Sequence, residues 1–169
     1  MDLLSKLELQ FLGTGGGRFV MSTQRRRTAG FRIIYSDTQV HVDPGPGALV
    51  FSNMAGLPPT KLSGIIVSHC HPDHYTDAEV LIESMTLGTR KNKGVLAATE
   101  SVLHGFEDIG PSISRYHQKF PENIVLLKKD EEFKVDKLIF KAIEVKHSDP
   151  TSVGIRLKTP EFGSFGYTS

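Results

Sequence analysis

The sequence predicts an α/β domain built on a mixed β-sheet or sheets, and three observations carry that expectation. Short runs with strand-like alternation occupy both ends of the chain, and the clearest helical periodicity lies between them. At roughly 150 residues per domain, 169 residues allow one core and leave no room for two. With 38% hydrophobic and 23% charged residues, the chain is too apolar to stay disordered.

Taken in order, Leu7–Leu12, Gly30–Tyr35 and Gln39–Asp43 read as sequential antiparallel strands bounded by Gly, Ser, Asp or Pro. The glycine run Gly13–Gly17 lacks the Gly-Lys-Ser/Thr ending of a phosphate loop, so it reads as a hairpin turn after the first strand. Ala48–Ala55 suits a short helix closed by Pro58-Pro59. Ser63–Ser68 reads as a strand whose uninterrupted Ile65-Ile66-Val67 needs cover on both faces. From Asp73 to Leu87, Ala78, Leu81, Ile82 and Met85 recur at helical spacing, and Gly88 ends the pattern. Val95–Ala98 follows as a strand, then one or two short helices within Glu100–Gln118. Asn123–Leu127, Glu132–Val135, Leu138–Val145, Ser152–Leu157 and Phe165–Tyr167 complete the strands.

Lys plus Arg exceed Asp plus Glu by 20 − 19 = +1, so no field of the whole molecule draws it to nucleic acid or to an acidic membrane. Any polyanion must be held by a local patch. The lone Cys70 has no disulfide partner in the chain, and no apolar run has the length of a signal peptide or a membrane span. The expected compartment is the cytoplasm, with no membrane association.

Function is concentrated in His69-Cys70-His71-Pro72-Asp73-His74. Two imidazoles two residues apart in extended backbone point the same way, and Cys70 points away as a small buried thiol. Pro72 suits the turn into a helix whose first turn carries Asp73 and His74. Three imidazoles and a carboxylate make a donor set suited to zinc and, less selectively, to manganese or iron. One ion cannot readily take all four at this spacing, whereas two neighbouring ions can. His41, His104 and His117 lack such context and read as surface or packing residues.

The pattern resembles the metallo-β-lactamase superfamily, whose HxHxDH signature is matched by His69, His71, Asp73 and His74. Asp43 in VDPGPG, the Phe11–Gly16 segment FLGTGG, and His147 in KHSDPTSVGIRL extend the match, the last as in the RNase Z branch and related phosphodiesterases. The resemblance implies one domain over residues 1–169 with an αββα sandwich fold of two mixed sheets. It implies that His69, His71 and His147 hold a first ion and that Asp73 and His74 contribute to a second, with Asp43 supporting them from beneath. It also implies a sandwich incomplete at the C-terminal end: the family's bridging aspartate follows a segment like Phe165–Ser169, and a final histidine lies further on. Asp149 and Glu161 do not stand at that motif position. The expectation is a piece of a longer product; the alternative is that another subunit, as in a homo-oligomer, supplies the missing strands and ligands. His69, His71 and His147 would still suffice for one ion with water in the fourth position.

The implied activity is a metal-dependent hydrolase in which metal-activated water attacks a phosphodiester, with Asp73 as the catalytic residue that orients the water or takes its proton. The expected substrate is a small-molecule or nucleotide phosphodiester, such as a cyclic nucleotide, or an RNA end. Arg18, Arg25-Arg26-Arg27 and Arg90–Lys93 would bind phosphate if they line the same mouth. Asp77 stands where the RNase Z branch typically carries glycine. A lactonase- or thioesterase-type acyl hydrolase is the enzymatic alternative, and a non-catalytic metal-binding fragment is the other.

Overall fold

The computed structural model describes residues 6–159 and 161–168. Among the described residues, ten strands form two sheets. The first contains β1 (Leu7–Phe11), β2 (Phe31–Tyr35), β3 (Thr38–Val42), β4 (Gly64–Val67), β5 (Val95–Ala98) and β6 (Asn123–Leu126), adjacent in that order. Its β1-β2-β3 portion is antiparallel, and β3 to β6 are parallel. The change of direction follows from the connections. A two-residue turn joins β2 to β3, whereas β4 and β5 are each reached through helical crossovers, which parallel pairing requires. The second sheet has β7 (Glu132–Val135), β8 (Leu138–Glu144), β9 (Val153–Thr159) and β10 (Gly163–Tyr167) in the order β10-β9-β8-β7. It is antiparallel throughout, unlike the second mixed sheet expected from the resemblance, because the links between its neighbours are shorter than the dozen or so residues a parallel crossover needs.

The helices are α1 (Arg18–Thr23), α2 (Ala48–Met54), α3 (Pro72–Tyr75), α4 (Ala78–Met85) and α5 (Glu100–His104). Gly13–Gly17 is not a tight hairpin turn: the β1–β2 connection runs from Leu12 to Gly30 and contains α1. The single helix expected over 73–87 is two, α3 and α4. The Asp77 N–H donates to the Pro44 carbonyl at 2.9 Å, and the Asp77 Oδ2 accepts the Leu49 N–H at 2.9 Å. The Pro44 carbonyl therefore takes the Asp77 N–H that would otherwise have continued the helix by bonding the Asp73 carbonyl.

Two hydrophobic layers hold the domain together. Between the sheets, Phe31, Ile33, Val40, Val42 and Ile66 meet Val135, Leu138, Phe140, Ile155 and Leu157. The rings of Phe133 and Phe140 stack there with centroids 5.3 Å apart. On the other face of the first sheet, Ile65, Val67, Leu96 and Ala98 pack against Leu81, Ile82 and Met85 of α4 and Val102 and Leu103 of α5. The Ile65-Ile66-Val67 run serves both layers, since successive strand residues point to opposite faces. Each large side chain so buried contributes about 1.5–3 kcal/mol. Among the described residues, no helix is long and apolar enough to cross a membrane.

His41 is fully buried on the helix-side face of β3, beside Arg32 of β2. Its Nε2–H donates to the Ala29 carbonyl at 2.9 Å. Burial, with the neighbouring Arg32 charge second, drives its pKa down to about 3. The unfolded chain binds that proton near pH 6.5 and the folded chain does not, so stability present above pH 6.5 is lost as pH falls towards 3, at about 1.4 kcal/mol per unit. Urea unfolding of wild type and His41→Gln between pH 7 and 4 is expected to show an acid-side slope shallower by about that amount in the variant. Identical slopes would contradict this account.

Candidate metal centre

The site forms where the parallel strands end, the position at which open α/β sheets collect functional groups. β3 delivers Asp43, β4 delivers Ser68 to His71, the loop after β8 delivers His147, and β10 delivers Tyr167. The ring of His69 lies 4.8 Å from that of His71, 4.1 Å from that of His74 and 4.4 Å from that of His147, centroid to centroid. His69, His71 and His147 each offer a nitrogen, all within 4.8 Å of one another. His69 Nε2 and His71 Nδ1 face each other at 3.2 Å.

Electrostatics divides the cluster in two. Burial, followed by the charge of His74, lowers the His69 pKa to about 3, and burial together with His147 lowers that of His71. These are neutral imidazoles, the state in which nitrogen ligates a metal. His74 is the reverse. Burial opposes its charge, but the carboxylates of Asp43 and Asp73 outweigh burial and raise its pKa to about 9. Its Nδ1 lies 2.9 Å from Asp43 Oδ2 and its Nε2 lies 3.4 Å from Asp73 Oδ2. A proton on Nε2 thus occupies the place between imidazole and carboxylate that a cation would take. The donor set thus offers three convergent imidazole nitrogens at His69, His71 and His147, with the His74–Asp73 pair beside them.

Asp43 sits beneath as a hydrogen-bond hub. Its Oδ1 accepts the Ser68 N–H at 2.7 Å; its Oδ2 accepts the Ser68 hydroxyl at 2.7 Å, His74 Nδ1–H at 2.9 Å and the Tyr167 hydroxyl at 2.8 Å. Ser68 Oγ in turn lies 2.9 Å from His69 Nδ1, so Asp43 orients both imidazoles. Asp43, His69 and His74 also have ligand atoms within 4.8 Å of one another. Four donors on one buried carboxylate nonetheless favour support over direct ligation. Asp43 adopts the left-handed backbone conformation at φ 50°, a strained geometry held by the pairing around it.

Asp73 Oδ2 accepts the Gly17 N–H at 2.6 Å. His74 first, and the Gly17 N–H after it, hold this carboxyl well below the usual carboxylate range, so it is ionised. Cys70 is buried in the helix-side core, where burial raises its thiol pKa. A cleft of about 950 Å³ opens over the site, lined among others by Phe11, Gly13–Arg18, Met21, Ile109 and Tyr167. Of the basic residues expected at a phosphate mouth, Arg18 lines it. Arg27 stacks 3.9 Å above the Phe51 ring instead, and Lys93 Nζ bonds the Thr60 carbonyl. His104 is exposed, and His117 pairs with Glu79 and Glu83 away from the cleft. Ser169 lies outside the described residues.

Gly17, Ser68, Tyr167 and Asp149 belong to this network, yet the sequence reading assigned none of them a place in it. Ser68 had a signal, its position directly before the histidine cluster. The other three reach the site only through long-range folding. Asp149, whose Oδ2 accepts the Cys70 N–H at 3.0 Å, lies 79 positions from it.

Residues 38–168 match the family model described as a beta-lactamase superfamily domain. The chain belongs to the beta-lactamase superfamily. This superfamily comprises metal-dependent hydrolases, and its fold implies divalent metal ions, commonly zinc. Within it, the chain is 42% identical over 164 residues to an uncharacterized protein of Methanocaldococcus jannaschii, covering 97% of this chain and 61% of that one. It is 28% identical over 159 residues to a ribonuclease Z of Pyrococcus abyssi, covering 94% of this chain and 50% of the relative. Thus it spans between half and three fifths of the length of these curated relatives. The metallo-beta-lactamase fold protein YhfI of Bacillus subtilis superimposes with a TM-score of 0.72 at 18% identity, over 96% of this chain and 62% of that one. That likeness is one of fold.

Proposed function

We propose that this chain carries the metal centre of a hydrolase that cleaves a phosphodiester, in a nucleotide or at an RNA end. The observation that carries this reading is the convergence of His69, His71 and His147 beside the Asp73–His74 pair at the floor of an open cleft. The similarity to ribonuclease Z supports phosphodiester over acyl substrates. Three convergent imidazole nitrogens favour zinc, with manganese or iron as weaker alternatives. His69, His71 and His147 would hold one ion and Asp73 with His74 would contribute to a second, and bound metal would supply Lewis acidity and lower the pKa of water.

The remaining work falls to the protein. Asp73, ionised and held by Gly17, is the acceptor to which attacking water is oriented. Asp43 fixes the imidazole of His74 directly and that of His69 through Ser68, so neither ring must reorganise. Arg18 at the cleft offers a cation to the phosphate, and the glycines beside it let a bulky substrate approach. The single buried cysteine, without a disulfide partner in the chain, supports a cytoplasmic setting.

The test is turnover of bis(p-nitrophenyl) phosphate and of a model thioester by the full chain with added zinc or manganese. Phosphodiester cleavage that is lost in His69→Ala is expected. Cleavage of the thioester alone would assign an acyl hydrolase, and metal uptake with turnover of neither would assign a non-catalytic metal-binding segment.

A further inference from the structure

We infer that Asp149 is a positioning residue that clamps the loop carrying His147 onto the loop carrying His69 and His71. The three imidazoles come from two segments far apart in the chain, and nothing local makes their nitrogens converge. Asp149 is 3% exposed and spends its whole carboxylate on that junction. Its Oδ2 accepts the Cys70 N–H at 3.0 Å and the Ser101 hydroxyl at 2.5 Å. Its Oδ1 accepts the Thr151 N–H at 2.8 Å and the Thr151 hydroxyl at 2.9 Å. One side chain thus joins the histidine loop, α5 and the turn that follows His147.

The bond to Cys70 has the most direct consequence. Cys70 lies between His69 and His71, so holding its peptide N–H sets the plane from which both flanking imidazoles project. The two bonds to Thr151 set the turn Ser148–Thr151, and the Asp149 N–H itself lies 3.3 Å from His147 Nδ1. A second tether runs alongside, from the Val153 N–H to the Ser68 carbonyl at 3.2 Å. With four donors already on its two oxygens, Asp149 is engaged in support, and it is absent from both groups of convergent ligand atoms. Its function is to preorganise the three nitrogens before an ion arrives, which lowers the ordering cost of binding.

This inference rests on reading His69, His71 and His147 as metal ligands, and the experiment separates the two. Zinc affinity is measured by competition with a chromogenic chelator, and site geometry by the visible absorption of bound cobalt(II). Both are read on the full chain under conditions where circular dichroism shows each variant folded. Wild type is compared with His147→Ala, Asp149→Asn and the double variant Ser101→Ala/Thr151→Val. Asp149→Asn turns one acceptor into a donor facing other donors, and a loss of about 10–100-fold in affinity with an altered cobalt spectrum is expected. The double variant keeps the carboxylate and its two backbone donors; a loss of about 3–10-fold is expected, and this arm decides the matter if Asp149→Asn does not fold. A drop in His147→Ala alongside wild-type affinity in a folded clamp variant would overturn the positioning role alone. Unchanged affinity in His147→Ala would overturn the ligand reading and this inference with it.

Discussion

Replacing Asp43 by alanine is expected to cost about 3–5 kcal/mol of folding stability and to weaken zinc binding about 10–100-fold. The carboxylate is 2% exposed and accepts from Ser68 twice, from His74 and from Tyr167. Truncation leaves a charged imidazole half-paired and three neutral donors without their acceptor, all removed from water. Alanine also inherits the φ of 50°, which an L side chain larger than hydrogen tolerates poorly. Asparagine separates these causes. It accepts the left-handed conformation and fills the same volume, but puts an amide donor against donors and no charge against His74. About half the alanine cost is expected for Asp43→Asn, so urea unfolding of the three proteins should rank wild type above Asn above Ala. An alanine variant within 1 kcal/mol of wild type would refute the hub.

Gly45→Ala is expected to be nearly as damaging, for a purely steric reason. A Cβ there would lie 2.0 Å from the Asp73 carbonyl oxygen and 2.1 Å from the Thr28 carbonyl oxygen. Both are backbone atoms, so no side-chain rotation relieves the clash. The Pro44–Gly47 turn must separate from α3, straining the Asp77 N–H bond to Pro44 and displacing the peptide of Asp73. A loss of about 3 kcal/mol or more follows, at the upper end of overpacking, together with weaker metal binding. Gly17 supplies the contrast. A Cβ there meets nothing within 4 Å, and only its φ of 81° resists a side chain. Gly17→Ala is therefore expected to cost about 1 kcal/mol. Paired thermal melts of the two variants test the distinction, and equal losses would contradict it.

Much of this protein is local in origin. Three imidazoles and a carboxylate fall within six residues, so the strand alternation before Pro72 and the helix turn after it gather them whatever else the chain does. The apolar run of β4 called for cover on both faces for the same reason, since neighbouring side chains there must leave in opposite directions. Such features depend on spacing along the backbone, and spacing is written in the sequence.

The tertiary structure decided what depends on meetings between distant segments. Periodicity marks one helix over 73–87, but Gly45 and Pro44 dock against its first turn and split it. The glycine run reads as a hairpin turn, yet it crosses the site so that Gly17 holds Asp73, 56 positions away. Tyr167 meets Asp43 across 124 positions, and Asp149 meets Cys70 across 79. No local pattern encodes these contacts. They form because burying the two hydrophobic layers brings strand ends together, and the buried polar groups left at that junction must then find one another.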